Sequence, residues 1–421
     1  MRFKAWLPAG AVAAVAALAP GAAATAEDDG FVEQVDVLYT LAGDSPGTGA
    51  FYGWAISELG DVDGDGAMEV LVGEPFTATG TTWVYSGSTG SPLYRLDGAP
   101  GDQQGYAMAD AGDTDGDGVA DIVSGAPGVG RGHAYLYSGA TGRLLHVFSR
   151  GRDGDFFGAA VASAGDVNRD GRADVLVGAP MSDAGGVDSG RAYIFSGRNY
   201  KLIRKLDAGD AGDFFGSGTD WSEDLNDDGL PELVVGAQHA GPTQGGAAYV
   251  FSARKGRLLF TIPAPPTGVE LGSFFVAGVG DVNGDGTGDV YAADYADGSL
   301  GPGTGRAAVY SGVDGSELRA WVGSAAGEGL GPGREAGDVD GDGLVDLAIG
   351  SYTSSDGAPQ AGKVEIFSGA DGSLLRRLTS TTPFENLGFD AVGVGDLTGD
   401  GIPDLLVSAA NGDRVYAVAG E

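Results

Sequence analysis

The chain has 421 residues, with 59 acidic against 24 basic side chains and a formal charge of -35 at pH 7. Such a surface repels nucleic acid and anionic membranes, so neither is expected as a partner. Cysteine is absent, which excludes disulfides, thiolate metal sites and a cysteine nucleophile.

Glycine is abundant, at 79 residues, and favours many short strands joined by turns. The apolar residues recur in ordered runs, which argues against disorder. Taken from its start, the chain reads first as an export signal. Arg2 and Lys4 precede an Ala-rich apolar run from Ala9 to Ala19. Ala24-Thr25-Ala26 then offers a small-x-small cleavage site before Glu27, Asp28 and Asp29. Residues 1–26 are expected to be removed and 27–421 to form one domain. The protein is then exported: secreted, periplasmic or surface-bound. The apolar run is too short to span a bilayer comfortably, and no membrane insertion is expected.

Val35 to Leu41 reads as an isolated strand. After it, one unit occurs seven times. Its marker is an acidic segment beginning at Asp61, Asp113, Asp166, Asp224, Asp281, Asp338 and Asp396. Upstream of each lies an aromatic or aliphatic residue followed by glycine, such as Tyr52-Gly53, Phe157-Gly158 and Phe215-Gly216. The second copy shows Gly105-Tyr106 instead. Downstream come three strand patterns, exemplified by Asp174 to Gly178, Arg191 to Gly197 and Leu202 to Leu206. Period-two alternation between turn residues argues for strands throughout. Four strands in about 50 residues is the size of a propeller blade.

The expected fold is therefore all-β: a seven-bladed β-propeller of four-stranded antiparallel blades. The blades fall at about 52–98, 105–149, 157–207, 215–262, 271–322, 330–379 and 387–420. The seventh unit stops after its third strand, at Arg414 to Gly420. The spare strand at 35–41 is predicted to complete it and close the ring, which removes an open sheet edge.

Each acidic loop places oxygen donors at positions 1, 3, 5 and 9 and a backbone carbonyl at position 7. Hard oxygen ligands in a flexible loop suit calcium. Loop one offers Asp61, Asp63, Asp65, Ala67 and Glu69. Loop two offers Asp113, Asp115, Asp117, Val119 and Asp121. Loop three has Asp166, Asn168, Asp170, Arg172 and Asp174; loop four has Asp224, Asn226, Asp228, Leu230 and Glu232. Loop five has Asp281, Asn283, Asp285, Thr287 and Asp289. Loop six has Asp338, Asp340, Asp342, Leu344 and Asp346; loop seven has Asp396, Thr398, Asp400, Ile402 and Asp404. Up to seven Ca2+ ions are expected, one per blade. Thr398 is a poor ligand, so loop seven should bind most weakly. Crowding these acids without a cation would be repulsive. A metal-free Asp-Gly turn is the bland alternative, and repetition tells against it.

Phe157-Gly158 with Gly178-Ala179-Pro180, around a D-x-N/D-x-D-G-x-x-D loop, resembles the FG-GAP repeat found in integrin α subunits and many bacterial exported proteins. The resemblance covers about residues 31 to 421. It implies that partners bind on the face opposite the calcium loops. The loops Glu74 to Thr81, Met181 to Gly190, Gln238 to Gly246 and Asp294 to Gly305 would form that face. Phe76, Tyr295 and Tyr352 are candidate anchors there, or else pack between blades. The partner expected is an unidentified protein or glycan, bound by a monomer.

No catalytic motif is visible. There is no G-x-S-x-G elbow, P-loop or H-E-x-x-H. His133, His146 and His239 occupy different places in the repeat. A non-enzymatic binding or adhesion scaffold is favoured over a propeller hydrolase or lyase acting on polysaccharide. Unrepeated acids facing the channel would favour the enzyme; an aromatic opposite face would favour the binding module.

Overall fold

The computed structural model describes residues 30–43, 47 and 49–420. The expected export signal lies outside the described residues. Seven four-stranded antiparallel sheets follow one another along the chain. The first strand of each sheet packs against the first strands of its two neighbours, so these strands ring a central axis. This is the seven-bladed propeller expected from the repeat.

The N-terminal strand Val37–Ala42 pairs antiparallel with Arg414–Val418 and completes the last sheet, with Val37 opposite Val418 and Ala42 opposite Arg414. The residues just before it add a second clasp, onto the outer strand of blade six, Leu374–Thr379. Phe31 bridges Ser380, and the Glu33 carboxylate accepts the Thr379 amide at 2.7 Å and its hydroxyl at 2.9 Å. Residues 31–42 thus span the last two blades.

Apolar packing lies mainly between blades. One core cluster joins Leu176, Ile194 and Leu206 of blade three to Phe215, Leu233 and Val235 of blade four. Another joins Leu136 and Phe148 of blade two to Phe157, Val175 and Val177 of blade three. Phe157 and Phe215 are fully buried in these seams. Each such ring contributes roughly 1.5–3 kcal/mol by leaving water.

Close backbone approach explains the glycines beside them. A Cβ on Gly178 would sit 2.1 Å from the carbonyl oxygen of Gly216 in the next blade, and one on Gly125 would sit 2.0 Å from that of Gly158. Side chains at either place would force the blades apart. Blade two corrects one expectation. Its residue in the phenylalanine place is Gln104, not Tyr106, because Gly80 bridges Gln104 as Gly132 bridges Phe157. Gln104 is fully buried. Its amide donates to Leu96 O at 3.1 Å, and its carbonyl accepts from the Tyr137 hydroxyl at 2.9 Å. Satisfied hydrogen bonds let an amide sit where a ring sits elsewhere.

Candidate metal centre

The acidic loops join first to second strands, so all seven lie at one end of the ring. The loops between second and third strands lie at the other. Each acidic loop is built on the same two fasteners. The position-1 carboxylate accepts the amide of the position-6 glycine at 2.7–3.1 Å in all seven. The position-9 carboxylate is buried and accepts the position-2 amide at 2.6–3.1 Å. In five blades its second oxygen accepts the amide of the glycine that ends the third strand. Burial pushes Glu69, Asp174 and Glu232 up to about 7 and Asp289 up to about 6, with neighbouring loop carboxylates adding to the rise. These are places where negative charge lacks compensation.

The loops then divide. In loops one, two and six, three carboxylates converge: Asp61, Asp63 and Glu69; Asp113, Asp115 and Asp121; Asp338, Asp340 and Asp346. Their oxygens lie within 4.8 Å of one another. Two oxygens on one calcium lie at most about 5 Å apart, so these sets fit the ion. In loops three and four the position-3 residue is Asn168 or Asn226, whose side-chain amide donates to Asp174 or Glu232. Here the sign of a cation is different. Asp170 and Asp228, at position 5, each hold a buried carboxylate oxygen, Oδ1, with no hydrogen-bond partner. In loop five Asn283 donates to Asp289 at 3.3 Å. In loop seven the Thr398 hydroxyl donates to Asp396 at 3.2 Å. Among the described residues, loops five and seven show neither sign.

At the other end the first strands begin with aromatic residues that meet over the axis. Trp54 packs on Tyr106 at 5.5 Å and on Phe389 at 5.2 Å. Tyr106 of blade two reaches Phe274 of blade five at 6.3 Å. Phe76 packs edge-on against Trp54 at 5.0 Å. Tyr352 joins Tyr295 at 6.2 Å and Phe389 at 5.7 Å. Phe76, Tyr295 and Tyr352 thus pack between blades, as part of an aromatic collar, rather than standing freely exposed as anchors.

Below the collar runs a central cavity of about 640 Å³, lined by Glu58, Asp110, Asp220, Arg334, Glu335 and Asp390 among others. These acids lie outside the metal loops; Glu58, Asp110 and Glu335 share one place in the repeat, three residues before the loop, which the other four blades fill with a residue that is not acidic. Arg334 donates one nitrogen to both Asp390 oxygens, at 2.9 and 2.8 Å. Enclosure by protein pushes Asp220 and Glu335 up to about 7; nearby carboxylates reinforce this and Arg334 opposes it.

A model of the FG-GAP repeat matches residues 157–195, and one of an FG-GAP-like repeat matches 224–292 and 338–407. The chain carries FG-GAP repeats. Integrin alpha pat-2 of Caenorhabditis briggsae is 31% identical over 225 residues, covering 47% of this chain and 18% of that protein. Integrin alpha-5 of Xenopus laevis is 27% identical over 212 residues, covering 45% of this chain and 20% of the relative. The FG-GAP propeller thus matches about a fifth of these relatives' length. A solved structure described as BBS1N in complex with ARL6DN, soaked with lead, has a TM-score of 0.56 at 12% identity. The match covers 92% of this chain and 97% of that one, and it shows the shared fold.

Two features of the FG-GAP loops escaped the sequence. The Arg172 guanidinium of loop three lies 3.5 Å from Asp113 of loop two. Arg169, also in loop three, donates to the Asp228 carbonyl of loop four at 2.8 Å. Strand order alone could have flagged both, since adjacent loops share one face. The histidines stay apart. His133 lies 3.5 Å from Asp102, His146 stacks on Tyr200 at 4.3 Å, and His239 meets the edge of Phe214 at 5.1 Å. Among the described residues no helix is long and apolar enough to cross a membrane.

Proposed function

We propose that this FG-GAP propeller is an exported calcium-binding scaffold of adhesion type, with calcium structural and the partner on the opposite face. The observation that carries it is the convergence of three carboxylates in loops one, two and six. The unpartnered oxygens of Asp170 and Asp228 extend the reading to loops three and four. Calcium bound there would neutralise the loop acids and hold first and second strands at a fixed angle. That holds the far ends of the strands still as well, where the Glu74 to Thr81 and Met181 to Gly190 loops present a surface for protein or glycan. The similarity to integrin α chains supports a binding role.

Equilibrium dialysis of the mature chain against calcium tests the metal. Three to five tightly bound ions per chain are expected; none would sink the reading. Glycan and peptide arrays probed with the calcium-loaded chain test the role. A hit lost on exchanging residues of the Met181 to Gly190 loop, and unchanged by variants in loop five, is expected.

The channel acids, which lie outside the metal loops, are the one observation on the side of a polysaccharide hydrolase. Asp390 is committed to Arg334, and the aromatic collar covers that end of the channel. Turnover of a polysaccharide that is abolished by Asp220→Asn would establish that second reading instead.

A further inference from the structure

We propose that the central channel is a binding site for a free linear polyamine, entered from the acidic-loop face. The cavity, about 640 Å³, falls in the size range of small-molecule sites. Four blades contribute carboxylates along it: Glu58, Asp110, Asp220 and Glu335. The facing cation, Arg334, is already held by both oxygens of Asp390. Among the described residues lining the cavity Arg334 is the one basic side chain, so the acids outnumber the cation.

The arrangement of this charge decides the ligand class. In the loops, three carboxylates converge on a point, as a metal ion requires. Among the described residues no three channel acids do so. Glu58, Asp110 and Glu335 stand in equivalent register on three first strands and Asp220 one residue away, so the acids are set around the axis rather than converging on a point, which suits a cation with several charged centres on a flexible alkyl chain. The closed end adds the apolar part. Trp54, Phe274 and Phe389 present rings there, and ring faces attract ammonium groups. Tyr106 lines the same end. It is 4% exposed and its hydroxyl has no hydrogen-bond partner. A buried hydroxyl left unpaired is costly, and an ammonium N–H is the donor it lacks. The Thr219 hydroxyl, further along the same cavity, is also without a partner. This inference stands independently of any partner on the collar face.

The test is calorimetric titration of spermidine into the mature, calcium-saturated chain at physiological ionic strength, where diffuse surface attraction is screened. One saturable site per chain is expected. Asp220→Asn and Glu335→Gln should each weaken it about tenfold, the worth of one charge-assisted hydrogen bond. The exposed Asp314→Asn control should leave it unchanged, and putrescine should bind more weakly than spermidine. Binding without saturation, or weakened equally by Asp314→Asn, would mean nonspecific attraction to an acidic surface and overturn the proposal. So would no heat at all. Both channel variants are close in shape to the native residue; if one fails to fold, the other decides.

Discussion

Loops six and five differ at position 3 by the replacement of one carboxylate oxygen with an amide nitrogen. In loop six Asp340 turns a carboxylate toward Asp338 and Asp346, and three negative groups crowd together. In loop five Asn283 turns its amide nitrogen to the Asp289 carboxylate and donates a hydrogen bond at 3.3 Å. Both loops hold the same backbone path, because the position-1 and position-9 fasteners are identical. The backbone path is thus common to both loops, and position 3 decides whether a third carboxylate joins the cluster.

Removing calcium should show the largest effect. Each occupied site stabilises the fold by roughly 2.7 kcal/mol at a hundredfold excess over Kd, so losing several together should lower Tm by on the order of 10 °C. Thermal melts with and without chelator measure it, and an unchanged Tm would break the distinction between the two kinds of loop.

Exchanging the position-3 residues comes next. Asp340→Asn should weaken calcium binding at loop six by about tenfold, since ligand charge sets affinity in such loops. Asn283→Asp should strengthen it at loop five and destabilise the metal-free chain by removing the amide bond. Calcium titrations of the two variants would reveal equal affinities if position 3 is irrelevant.

A smaller effect is expected where a protein cation already sits. Arg172 lies 3.5 Å from Asp113, and a half-exposed pair of this kind, still screened by solvent, is worth about 1 kcal/mol. Arg172→Met should therefore tighten calcium binding at loop two by up to about fivefold. Weaker binding would show that the arginine orders the site instead.

A separate effect belongs to the channel, read with calcium saturating so that the loops are silent. Asp220 and Glu335 stand at about 7 in the folded chain, against about 4 when unfolded. The folded state then holds more protons between those values. Stability from these groups is complete below pH 4 and is lost as pH rises through 7. Tm should fall modestly from pH 5 to pH 8, and Asp220→Asn should flatten the slope. Glu58, Asp110, Glu223, Arg334 and Asp390 face the same space, and of these only Arg334 opposes the shift by Coulomb attraction. A slope unaffected by Asp220→Asn would place the titration elsewhere.

Much of this was legible in the chain because repetition is a local signal. Seven acidic segments in one frame specify the strand order, and a missing last strand with a spare first one specifies closure. Val37–Ala42 pairs where that logic put it. The ligand candidates were legible because their spacing sets a loop. What the sequence missed was decided across blades. Glu33 reaches Thr379 over a separation of 346 residues, and Arg172 reaches Asp113 from the next loop. The collar rings Trp54, Tyr106, Phe274 and Phe389 come from four different units. Glu58, Asp110, Asp220 and Glu335 lie in the first strands of four blades. Only closure of the ring turns them toward one axis, because a strand's inward face has no meaning until its neighbours are in place.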